Sequence, residues 1–431
     1  MDSVIQTVYS LFLENRSVCT DSRKVKRGDL FFALKGDHFD GNLYAQQALE
    51  KGAVCALIDD ISLQGMDRMI WVEDVLKTLQ LLANHHRNLM KAKVIAITGT
   101  NGKTTTKELI ASVLSTTFKT IFTQGNLNNH IGVPLTLLSI NEETELAVIE
   151  MGANHQGEIR ALATIAQPDF GIITNIGKAH LEGFGDFTGV INAKSELYNY
   201  IDDHEGKLIV NMDNHLLNTL SANISRFTYG SDLEADVFAE LISVDPFVNL
   251  RWEYKNNHAV VQSKLIGDYN TENMMAAIAT ACYFGVEKNK INEAIGNYLP
   301  TNNRSQLIET KDNRIIMDAY NANPVSMQAA IYNFSKFINR KAWVIIGDML
   351  ELGLESDYEH AEVLKLLTDL DFEYVIMVGK HFGEVYGGED WLHFENVELL
   401  KNHLKKHPIT RCDILVKASR GIGLERILEL L

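Results

Sequence analysis

The stretch VIAITGTNGKTTTKELI, residues 94–110, joins a short β-branched run to a glycine loop and a helical segment. The common phosphate loop reads G-x-x-x-x-G-K-[ST], but here the first glycine is Gly99 and the spacing is G-x-x-G-K-T-T. A strand, a loop and a helix in this order present backbone N–H groups to an anion. We therefore predict a phosphate loop in which Lys103 neutralises phosphate charge and Thr104 or Thr105 binds Mg²⁺. A glycine turn that merely holds a lysine is the alternative.

Two later strand ends carry candidate metal ligands. Glu150 closes the strand in ELAVIEMG, at the edge where open α/β sheets place their ligands, and we predict it as a second Mg²⁺ anchor. An exposed strand-end carboxylate is the alternative. His180 follows the next strand, and Lys194 lies within a predicted helix. From the residues alone, a structural histidine and a solvated lysine remain open for these two positions.

The polar turn NANP follows another strand end, in IMDAYNANPVSM. Asp318 ends that strand, and the turn leads into a helix. Asparagine amides in such a turn can recognise a peptide or a nucleotide. An Asx turn that only caps the helix is the alternative.

Composition limits the class of protein. A chain of 431 residues is expected to form about three domains. The net charge of −16 argues against a nucleic-acid or anionic-membrane surface, although an anionic substrate needs only a local positive pocket. Four scattered cysteines, no basic N-terminal region and no apolar run long enough to span a membrane predict a cytoplasmic protein.

Strand and helix patterns alternate along the chain, which predicts an α/β fold of three domains. Residues 1–90 form an N-terminal α/β unit. Residues 91–300 form a central parallel sheet, and the strands near 226–266 form its antiparallel margin. Residues 301–431 form a Rossmann-like, doubly wound C-terminal domain. A Pro/Asn/Ser stretch at 299–306 is predicted as the hinge before it.

The motifs together resemble a known family. TGTNGKTTTKE, EMGANHQGEI, TNIGKAHLEGFG, AKSELY, GDYNTENMMAA, NRSQ, DAYNANPVSM, GDMLELG and KASRG occur in this order, as they do in the Mur ligase family. Its members are ATP-dependent amide-forming enzymes of peptidoglycan precursor synthesis. The resemblance covers all three domains, and the short G-x-x-G-K-T-T spacing matches the family's own phosphate loop.

The resemblance implies an activity. It implies that the N-terminal domain binds a uridine nucleotide, the central P-loop domain binds ATP, and the C-terminal domain binds the acceptor. TDSRKVKRGDLFFALKGDHFDG, GNLNNHIGVPLTLL and the NANP and GDMLELG motifs favour the member that joins D-alanyl-D-alanine to UDP-N-acetylmuramoyl-tripeptide through an acyl phosphate. A monomer that acts on these small molecules is expected.

Other functions remain open at this stage. The nearest is the ligase that adds the third stem-peptide residue, diaminopimelate or lysine, which generally carries an arginine motif where this chain has NANP. Folylpolyglutamate synthetase lacks the N-terminal uridine-binding unit. A non-catalytic nucleotide-sugar-binding ATPase module is a candidate of a different class.

The resemblance also implies roles for individual residues. The expected ATP contacts are Gly99, Thr100, Asn101, Gly102, Lys103, Thr104, Thr105, Asn270, Asn273, Arg304 and Asp318. The expected ligands of two Mg²⁺ ions are Thr104, Glu150, His180 and Lys194, and of these Glu150, His180 and Lys194 join Lys103 as the catalytic set. The expected substrate contacts are Asp21, Ser22, Arg23, Asp40, Gly41, Asn128, Asn129, Asn321, Asn323, Ser419 and Arg420. Lys194 matches the family's carbamylated lysine, in which CO₂ turns a cation into an oxygen ligand suited to a hard ion. Tyr269 and Asn303 stand where the family often has His and Gly.

Overall fold

The computed structural model describes residues 2–301 and 303–431. Asn302, within the predicted hinge at 299–306, lies outside the described residues. Three α/β units follow one another, each built on its own sheet, and the predicted fold class is confirmed. In the described part of the chain, no helix is both long and apolar enough to cross a membrane.

The N-terminal unit has a four-stranded parallel sheet in the order β1-β2-β5-β6 and a small hairpin, β3–β4. Its strands are β1 (Val18–Cys19), β2 (Leu30–Phe32), β3 (Lys35–Gly36), β4 (Phe39–Asp40), β5 (Cys55–Ile58) and β6 (Met69–Trp71). Its helices are α1 (Asp2–Asn15), α2 (Ala45–Glu50) and α3 (Val75–Leu89).

The central unit has a nine-stranded sheet in the order β15-β14-β13-β12-β11-β10-β7-β9-β8. Its strands are β7 (Lys93–Thr98), β8 (Thr120–Phe122), β9 (Leu146–Glu150), β10 (Phe170–Ile173), β11 (Lys207–Asn211), β12 (Arg226–Gly230), β13 (Val237–Val244), β14 (Phe247–Tyr254) and β15 (Asn257–Ile266). Its helices are α4 (Lys103–Leu114), α5 (Gly132–Leu137), α6 (Glu158–Ala166), α7 (Leu181–Phe184), α8 (Phe187–Asp203), α9 (His215–Leu220), α10 (Asn270–Tyr283) and α11 (Lys288–Asn297). Pairing is parallel from β8 to β13 and antiparallel from β13 to β15. The predicted antiparallel margin at 226–266 is correct for β13 to β15 and wrong for β12, which pairs parallel with both of its neighbours.

The position of β7 decides where the site forms. Residues 94–98 of β7 are fully buried, because helices cover both faces of a parallel sheet and favour a continuous apolar run. β7 pairs with β9 on one side and β10 on the other. The carboxyl ends of these three neighbouring strands therefore meet at one edge of the sheet, which is where such sheets bind ligands.

The C-terminal unit has a six-stranded sheet in the order β16-β17-β21-β18-β19-β20, parallel except for β16. Its strands are β16 (Gln306–Glu309), β17 (Arg314–Asp318), β18 (Lys341–Gly347), β19 (Tyr374–Val378), β20 (Leu392–Phe394) and β21 (Cys412–Lys417). Its helices are α12 (Pro324–Phe337), α13 (Ser356–Asp369), α14 (Lys380–Val385) and α15 (Val397–Lys406).

The apolar cores tie the first two units together more closely than the third. One cluster joins Phe12, Leu30 and Leu79 of the first unit to Ile149 and Leu197 of the central unit. The C-terminal sheet has separate clusters on its two faces. One of these clusters includes Ile266 of β15, so the C-terminal unit packs on the central one through apolar side chains. Polar groups of both units surround a cavity at the strand ends.

Candidate functional site

A cavity of about 1180 Å³ lies where the phosphate loop, the end of β9 and the start of α10 face the strand ends of the C-terminal sheet. Most of the residues predicted for the site line it: Thr100, Asn101, Gly102, Lys103, Thr104, Thr105, Asn128, Asn129, Glu150, His180, Asn270, Asn273, Arg304, Asp318, Asn321, Asn323, Ser419 and Arg420. Two domains thus contribute to one site.

The two glycines of the phosphate loop are required by close contacts. Gly99 has φ +141°, and a Cβ there would lie 2.1 Å from Thr174 Oγ1. Gly102 has φ +79°, and a Cβ there would lie 2.4 Å from Asn273 Oδ1. Only glycine meets both demands without strain, and this explains why the motif keeps a glycine at each end of its short loop.

Residues after β10 hold the loop in shape. The Asn175 carbonyl accepts a hydrogen bond from the Thr100 N–H (2.9 Å), and its Oδ1 accepts one from the Asn101 N–H (2.9 Å). Thr174 Oγ1 donates to the Asn101 carbonyl (2.6 Å). Sequence analysis missed Thr174 and Asn175, although both stand in the quoted TNIGKAH motif.

Lys103 begins α4 and folds back over the loop. Its Nζ donates to the carbonyls of Gly99 (2.7 Å) and Thr100 (2.9 Å). Desolvation lowers the pKa of Lys103 to about 8, although Glu150 opposes this, and Arg304 lowers the pKa further. A cation that is desolvated and held only by carbonyls is stabilised when an anion such as a phosphate arrives.

Glu150 is buried, with 1% of its surface exposed, so the exposed strand-end alternative is wrong. Its Oε1 accepts hydrogen bonds from Thr104 Oγ1 (3.2 Å) and Asn128 Nδ2 (2.8 Å). Its Oε2 has no hydrogen-bond partner. Together, a carboxylate and a hydroxyl beside a phosphate loop form a donor set that suits Mg²⁺.

His180 faces the C-terminal domain. Its backbone is left-handed, with φ +51°, and its Nδ1 hydrogen-bonds to Glu351. Burial lowers the pKa of His180, and the opposing effect of Glu351 does not reverse this. Nearby, Lys178 Nζ lies 3.2 Å from Glu359 Oε1 and 3.6 Å from Glu355 Oε2. These basic and acidic groups join the two domains beside the cavity.

Lys194 lies behind the cavity wall and is 2% exposed, so the solvated-lysine alternative is wrong. Its Nζ is 3.4 Å from the carbonyl oxygen of Ala153 and 5.1 Å from the centre of the Phe184 ring. Among the described residues, no carboxylate lies within ion-pair distance of this amine. Burial lowers the pKa of Lys194 to about 7, and the charge of Lys103 adds to the effect.

The first turn of α10 borders the other side of the loop. Asn273 Nδ2 donates to Asn270 Oδ1 (2.8 Å), and Asn273 Oδ1 accepts from Thr106 Oγ1 (2.9 Å). Both asparagines are buried. Tyr269, which replaces the family's frequent histidine, exchanges a hydrogen bond with Ser305 Oγ (2.6 Å).

Arg304 and Asp318 enter the cavity from the C-terminal domain. The Arg304 guanidinium lies 3.6 Å from the centre of the Tyr320 ring, and its Nε has no hydrogen-bond partner. Asp318 accepts hydrogen bonds from Lys417 Nζ (2.6 Å) and the Ser305 N–H (3.1 Å). Sequence analysis missed Lys417, which stands at the start of the quoted KASRG motif and is the register partner of Asp318.

The residue before Arg304, where the resemblance implies a glycine, has a left-handed backbone. Asn303 has φ +56°, a left-handed conformation that asparagine tolerates better than most residues with a side chain. A left-handed turn at Asn303 therefore precedes Arg304, which lines the cavity.

The NANP turn both caps a helix and touches the phosphate loop. Asn323 Oδ1 accepts a hydrogen bond from the Ser326 N–H (2.9 Å), and Pro324 begins α12. The Asn323 amide then donates to Asn101 Oδ1 (2.8 Å). The helix-cap alternative is correct for the Asn323 oxygen, and the amide nitrogen remains directed to the loop.

The other predicted acceptor residues surround this turn. Asn321 is exposed, and its carbonyl accepts from Lys417 Nζ (3.3 Å). Ser419 is buried, and its Oγ accepts from the Leu350 N–H (2.9 Å). Arg420 is exposed, with its guanidinium 5.4 Å from the centre of the Tyr320 ring.

Comparison with known proteins identifies the family. Three family models match consecutive parts of the chain: the Mur ligase family catalytic domain at residues 15–87, the Mur ligase middle domain at 97–281, and the Mur ligase glutamate ligase domain at 303–420. The chain belongs to the Mur ligase family.

Individual relatives match over nearly the whole length. The UDP-N-acetylmuramoyl-tripeptide–D-alanyl-D-alanine ligase of Bacillus subtilis is 36% identical over 96% of this chain and 92% of its own. That of Escherichia coli is 35% identical over 96% and 93%. MurF from Acinetobacter baumannii superposes with a TM-score of 0.86 at 32% identity, over 96% of this chain and 92% of that chain. MurF ligase from Thermotoga maritima, in complex with ADP, does so with 0.85 at 26% identity, over 97% of each.

The first-domain candidates of this Mur ligase stand apart from the cavity. Asp21, Ser22, Arg23, Asp40 and Gly41 are not among the described residues that line it. Arg23 Nε donates to Asp21 Oδ1 (2.8 Å), and hydrogen bonds from Arg23 lower the pKa of Asp21 to about 2. Asp40 accepts from the Asn42 N–H (2.9 Å) and caps the short helix that starts at Gly41.

Proposed function

We propose that this Mur ligase joins D-alanyl-D-alanine to UDP-N-acetylmuramoyl-tripeptide and converts ATP to ADP and phosphate. The observation that carries the proposal is one cavity in which the phosphate loop and Glu150 face the NANP turn across the domain boundary. The two curated relatives at 35% and 36% identity, which bear the name of this activity, support it. We place the reaction in cytoplasmic peptidoglycan precursor synthesis and propose that the enzyme acts as a monomer.

The phosphate loop is the proposed ATP site. Loop N–H groups, the α4 N-terminus and Lys103 would bind the phosphates, and Asn270 and Asn273 would lie on the adenine side. Mg²⁺ would be held by Thr104 Oγ1 and Glu150 Oε1, two oxygen atoms that lie 3.2 Å apart. When bound, Mg²⁺ neutralises charge on the phosphates and polarises them.

A second ion would be held by His180 and a carbamylated Lys194. Carbamate formation joins the unprotonated amine to CO₂ and releases one proton. A pKa lowered to about 7 leaves much of the Lys194 amine unprotonated near neutral pH. The product is an anionic oxygen ligand that suits a hard cation. Carbamate formation would also remove the buried positive charge of Lys194, which is costly because it has no paired carboxylate.

The reaction requires the tripeptide carboxylate to approach the negatively charged γ-phosphate of ATP. The tripeptide carboxylate attacks the γ-phosphorus of ATP, the bond to ADP breaks, and an acyl phosphate forms. The amine of D-alanyl-D-alanine then attacks the acyl carbon, phosphate leaves, and the amine loses its proton. Lys103 and Arg304 would stabilise the negative charge on the transferred phosphate and on the departing ADP, so catalysis rests on positioning and electrostatics.

The acceptor is assigned from the NANP turn. A free amino acid offers its carboxylate to an arginine, which can bind it in a bidentate manner, but the turn has none. D-alanyl-D-alanine offers a peptide group, which suits the exposed amide of Asn321 and the second N–H of the Asn323 amide, and a terminal carboxylate, which Arg420 would bind. Losing the peptide partner of one amide costs about 1–3 kcal/mol, so free D-alanine should be a poor acceptor.

The test is an acceptor panel with purified enzyme, ATP and Mg²⁺. UDP-N-acetylmuramoyl-tripeptide is offered with D-alanyl-D-alanine or with D-alanine, and the dipeptide-stage nucleotide with diaminopimelate or lysine. We expect rapid ADP release only with tripeptide and D-alanyl-D-alanine. Faster release in the second pairing would assign the chain to the third-residue ligases. ADP release that no acceptor accelerates would favour the nucleotide-sugar-binding ATPase module, which hydrolyses ATP without ligating a substrate.

A further inference from the structure

Lys107 is a lysine with no exposed surface, one turn along α4 from the phosphate loop. Its Nζ has no hydrogen-bond partner. It lies 3.7 Å from Glu150 Oε2 and 3.7 Å from Glu108 Oε1, and 5.8 Å from the centre of the Phe122 ring. Lysines are almost never fully buried without a paired charge. The two carboxylates are therefore what keeps this lysine inside.

The two oxygens of Glu150 have different surroundings. Oε1 accepts from Thr104 and Asn128 on the side of the phosphate loop. Oε2 lies away from them and has Lys107 as its ion-pair partner among the described residues. Octahedral Mg²⁺ with bonds of 2.0–2.1 Å brings neighbouring ligand oxygens to about 2.9 Å. The distance of 3.2 Å between Thr104 Oγ1 and Glu150 Oε1 comes near this value, so Oε1 is the oxygen poised for an ion.

Lys107 is held in turn from its other side. Glu108 Oε2 accepts a hydrogen bond from the Tyr298 hydroxyl (2.7 Å), so the carboxylate of Glu108 is fixed against the end of α11. A chain of contacts thus runs from Tyr298 through Glu108 and Lys107 to Glu150. It passes entirely behind the cavity, because neither Lys107 nor Glu108 is among the described residues that line it.

We propose that Lys107 is a positioning residue: it holds Glu150 Oε2 so that Oε1 faces the phosphate loop and the metal. The proposal rests on the metal role of Glu150 in the proposed function. Two effects oppose each other. The charge of Lys107 by itself repels a divalent ion, so its removal would tighten metal binding. The ion pair between Lys107 and Glu150 Oε2, in contrast, orients the carboxylate as a metal ligand before the ion binds. Mutation of a residue that orients a metal ligand typically lowers metal affinity by about 10–100-fold.

The experiment measures divalent-ion binding directly. Lys107→Met keeps an unbranched side chain only one atom shorter and removes the charge. Mn²⁺ binding to the ADP-loaded enzyme is followed by electron paramagnetic resonance, with Lys405→Met on exposed α15 as the matched control. We expect the Mn²⁺ dissociation constant to rise by about 10–100-fold in Lys107→Met and to stay unchanged in the control. Unchanged or tighter Mn²⁺ binding in Lys107→Met would overturn the proposal.

A double-mutant cycle separates positioning from a structural role. Lys107→Met is repeated in a Glu150→Gln background, where it should have little further effect on Mn²⁺ binding if Lys107 acts through Glu150. An equal loss in both backgrounds would overturn the proposal and leave the metal role of Glu150 intact. If Glu150→Gln alone leaves Mn²⁺ binding unchanged, Glu150 is not a metal ligand. The proposed role of Lys107 then fails as well, because it depends on that ligand.

A second variant covers the case in which Lys107→Met does not fold. Tyr298→Phe removes the hydroxyl that fixes Glu108, which frees that carboxylate to draw Lys107 away from Glu150. The Mn²⁺ dissociation constant should then rise in the same direction as in Lys107→Met, by a smaller factor, without any change to the phosphate loop. Unchanged Mn²⁺ binding in Tyr298→Phe would overturn the proposal.

Discussion

Lys103 and Lys194 have side-chain amines in similar, desolvated surroundings. Desolvation lowers the pKa of Lys103 to about 8 and that of Lys194 to about 7, and the charge of Lys103 contributes to the second shift. Neither ammonium has an anionic hydrogen-bond partner among the described residues; both are held by backbone carbonyls. For Lys103, an uncompensated positive charge is expensive in the free protein and favourable once ATP binds. For Lys194, the same desolvation favours the unprotonated amine, which is the form that the proposed carbamate requires.

Replacement of Lys103 tests the phosphate loop. Lys103→Ala should lower the rate of ADP release by about 10²–10³-fold or more, as the loss of one electrostatic stabiliser typically does. The fold should persist, because alanine is well tolerated at a helix start. Initial rates and a thermal melt by circular dichroism check both points. Near-normal turnover would contradict the loop assignment.

Replacement of Lys194 tests the carbamate. Lys194→Ala should lose most activity, and a small added carboxylate such as acetate should restore part of it by supplying the missing oxygen ligand. Lys405→Ala, on an exposed helix surface, is the matched control and should behave as the parent. Labelling with ¹³C-bicarbonate should give a carbamate signal in the parent protein that Lys194→Ala lacks. A full-activity Lys194→Ala variant would rule the carbamate out.

The predictability of the site from sequence differs from residue to residue. The phosphate loop was predictable because its strand, glycines and helix are contiguous in the chain. Thr174, Asn175 and Lys417 were missed because strand pairing, not sequence proximity, brings them to the loop or to Asp318. Lys107 resembles a surface lysine in the sequence, and only the three-dimensional structure reveals its burial.

At the scale of elements, strands with continuous β-branched runs were predictable, as β7, β17 and β21 show. The hairpin β3–β4 was not, because its strands have two residues each and no periodicity can be recognised over that length. The antiparallel pairing of β13 to β15 was predictable from a run of strands and turns. The parallel pairing of β12 on β11 and the register of β17 on β21 were not, because both depend on pairing between distant segments.

That register depends on a buried ion pair. Asp413 at the start of β21 is fully buried and accepts two hydrogen bonds from Arg314 of β17, at 2.7 and 2.8 Å. The N–H groups of Asn339 and Arg340 donate to it as well. Burial raises the pKa of Asp413, but these hydrogen bonds outweigh burial and the net pKa lies below its ordinary value.

Asp413→Ala should destabilise the C-terminal sheet by up to about 3–5 kcal/mol, because it leaves Arg314 without its partner. A depressed carboxylate pKa contributes stability that is present above the ordinary value of about 3.9 and is lost as pH falls through the lower folded value. The stability of Asp413→Ala should therefore fall less between about pH 4 and lower pH than the stability of the parent protein, because the variant lacks this carboxylate. Hydrogen exchange of β17 and β21 amides measures both effects. Asp312→Ala, at an exposed position on the same loop edge, is the control, and equal exchange in the two variants would contradict the prediction.

At the scale of the whole molecule, the site exists only when two domains meet. Arg304 and Asp318 belong to the C-terminal domain and the phosphate loop to the central one, and the contact between Asn101 and Asn323 joins them at the cavity. Beside it, Lys178 and His180 face Glu351, Glu355 and Glu359. Complementary charges across the boundary therefore favour the arrangement in which the cavity is complete.

The pair of Lys178 and Glu359 offers a test of this coupling. Glu359 is buried while Lys178 is about half exposed, so we expect about 1–3 kcal/mol of coupling, between the values for exposed and buried pairs. Lys178→Gln and Glu359→Gln should each raise the KM for D-alanyl-D-alanine and increase the radius of gyration in small-angle X-ray scattering. The double variant should lose less than the sum of the two, because no unpaired charge remains. Lys380→Gln, which breaks a pair within α14, is the control. Strictly additive losses, or effects that persist unchanged in high salt, would show that these charges do not hold the domains together.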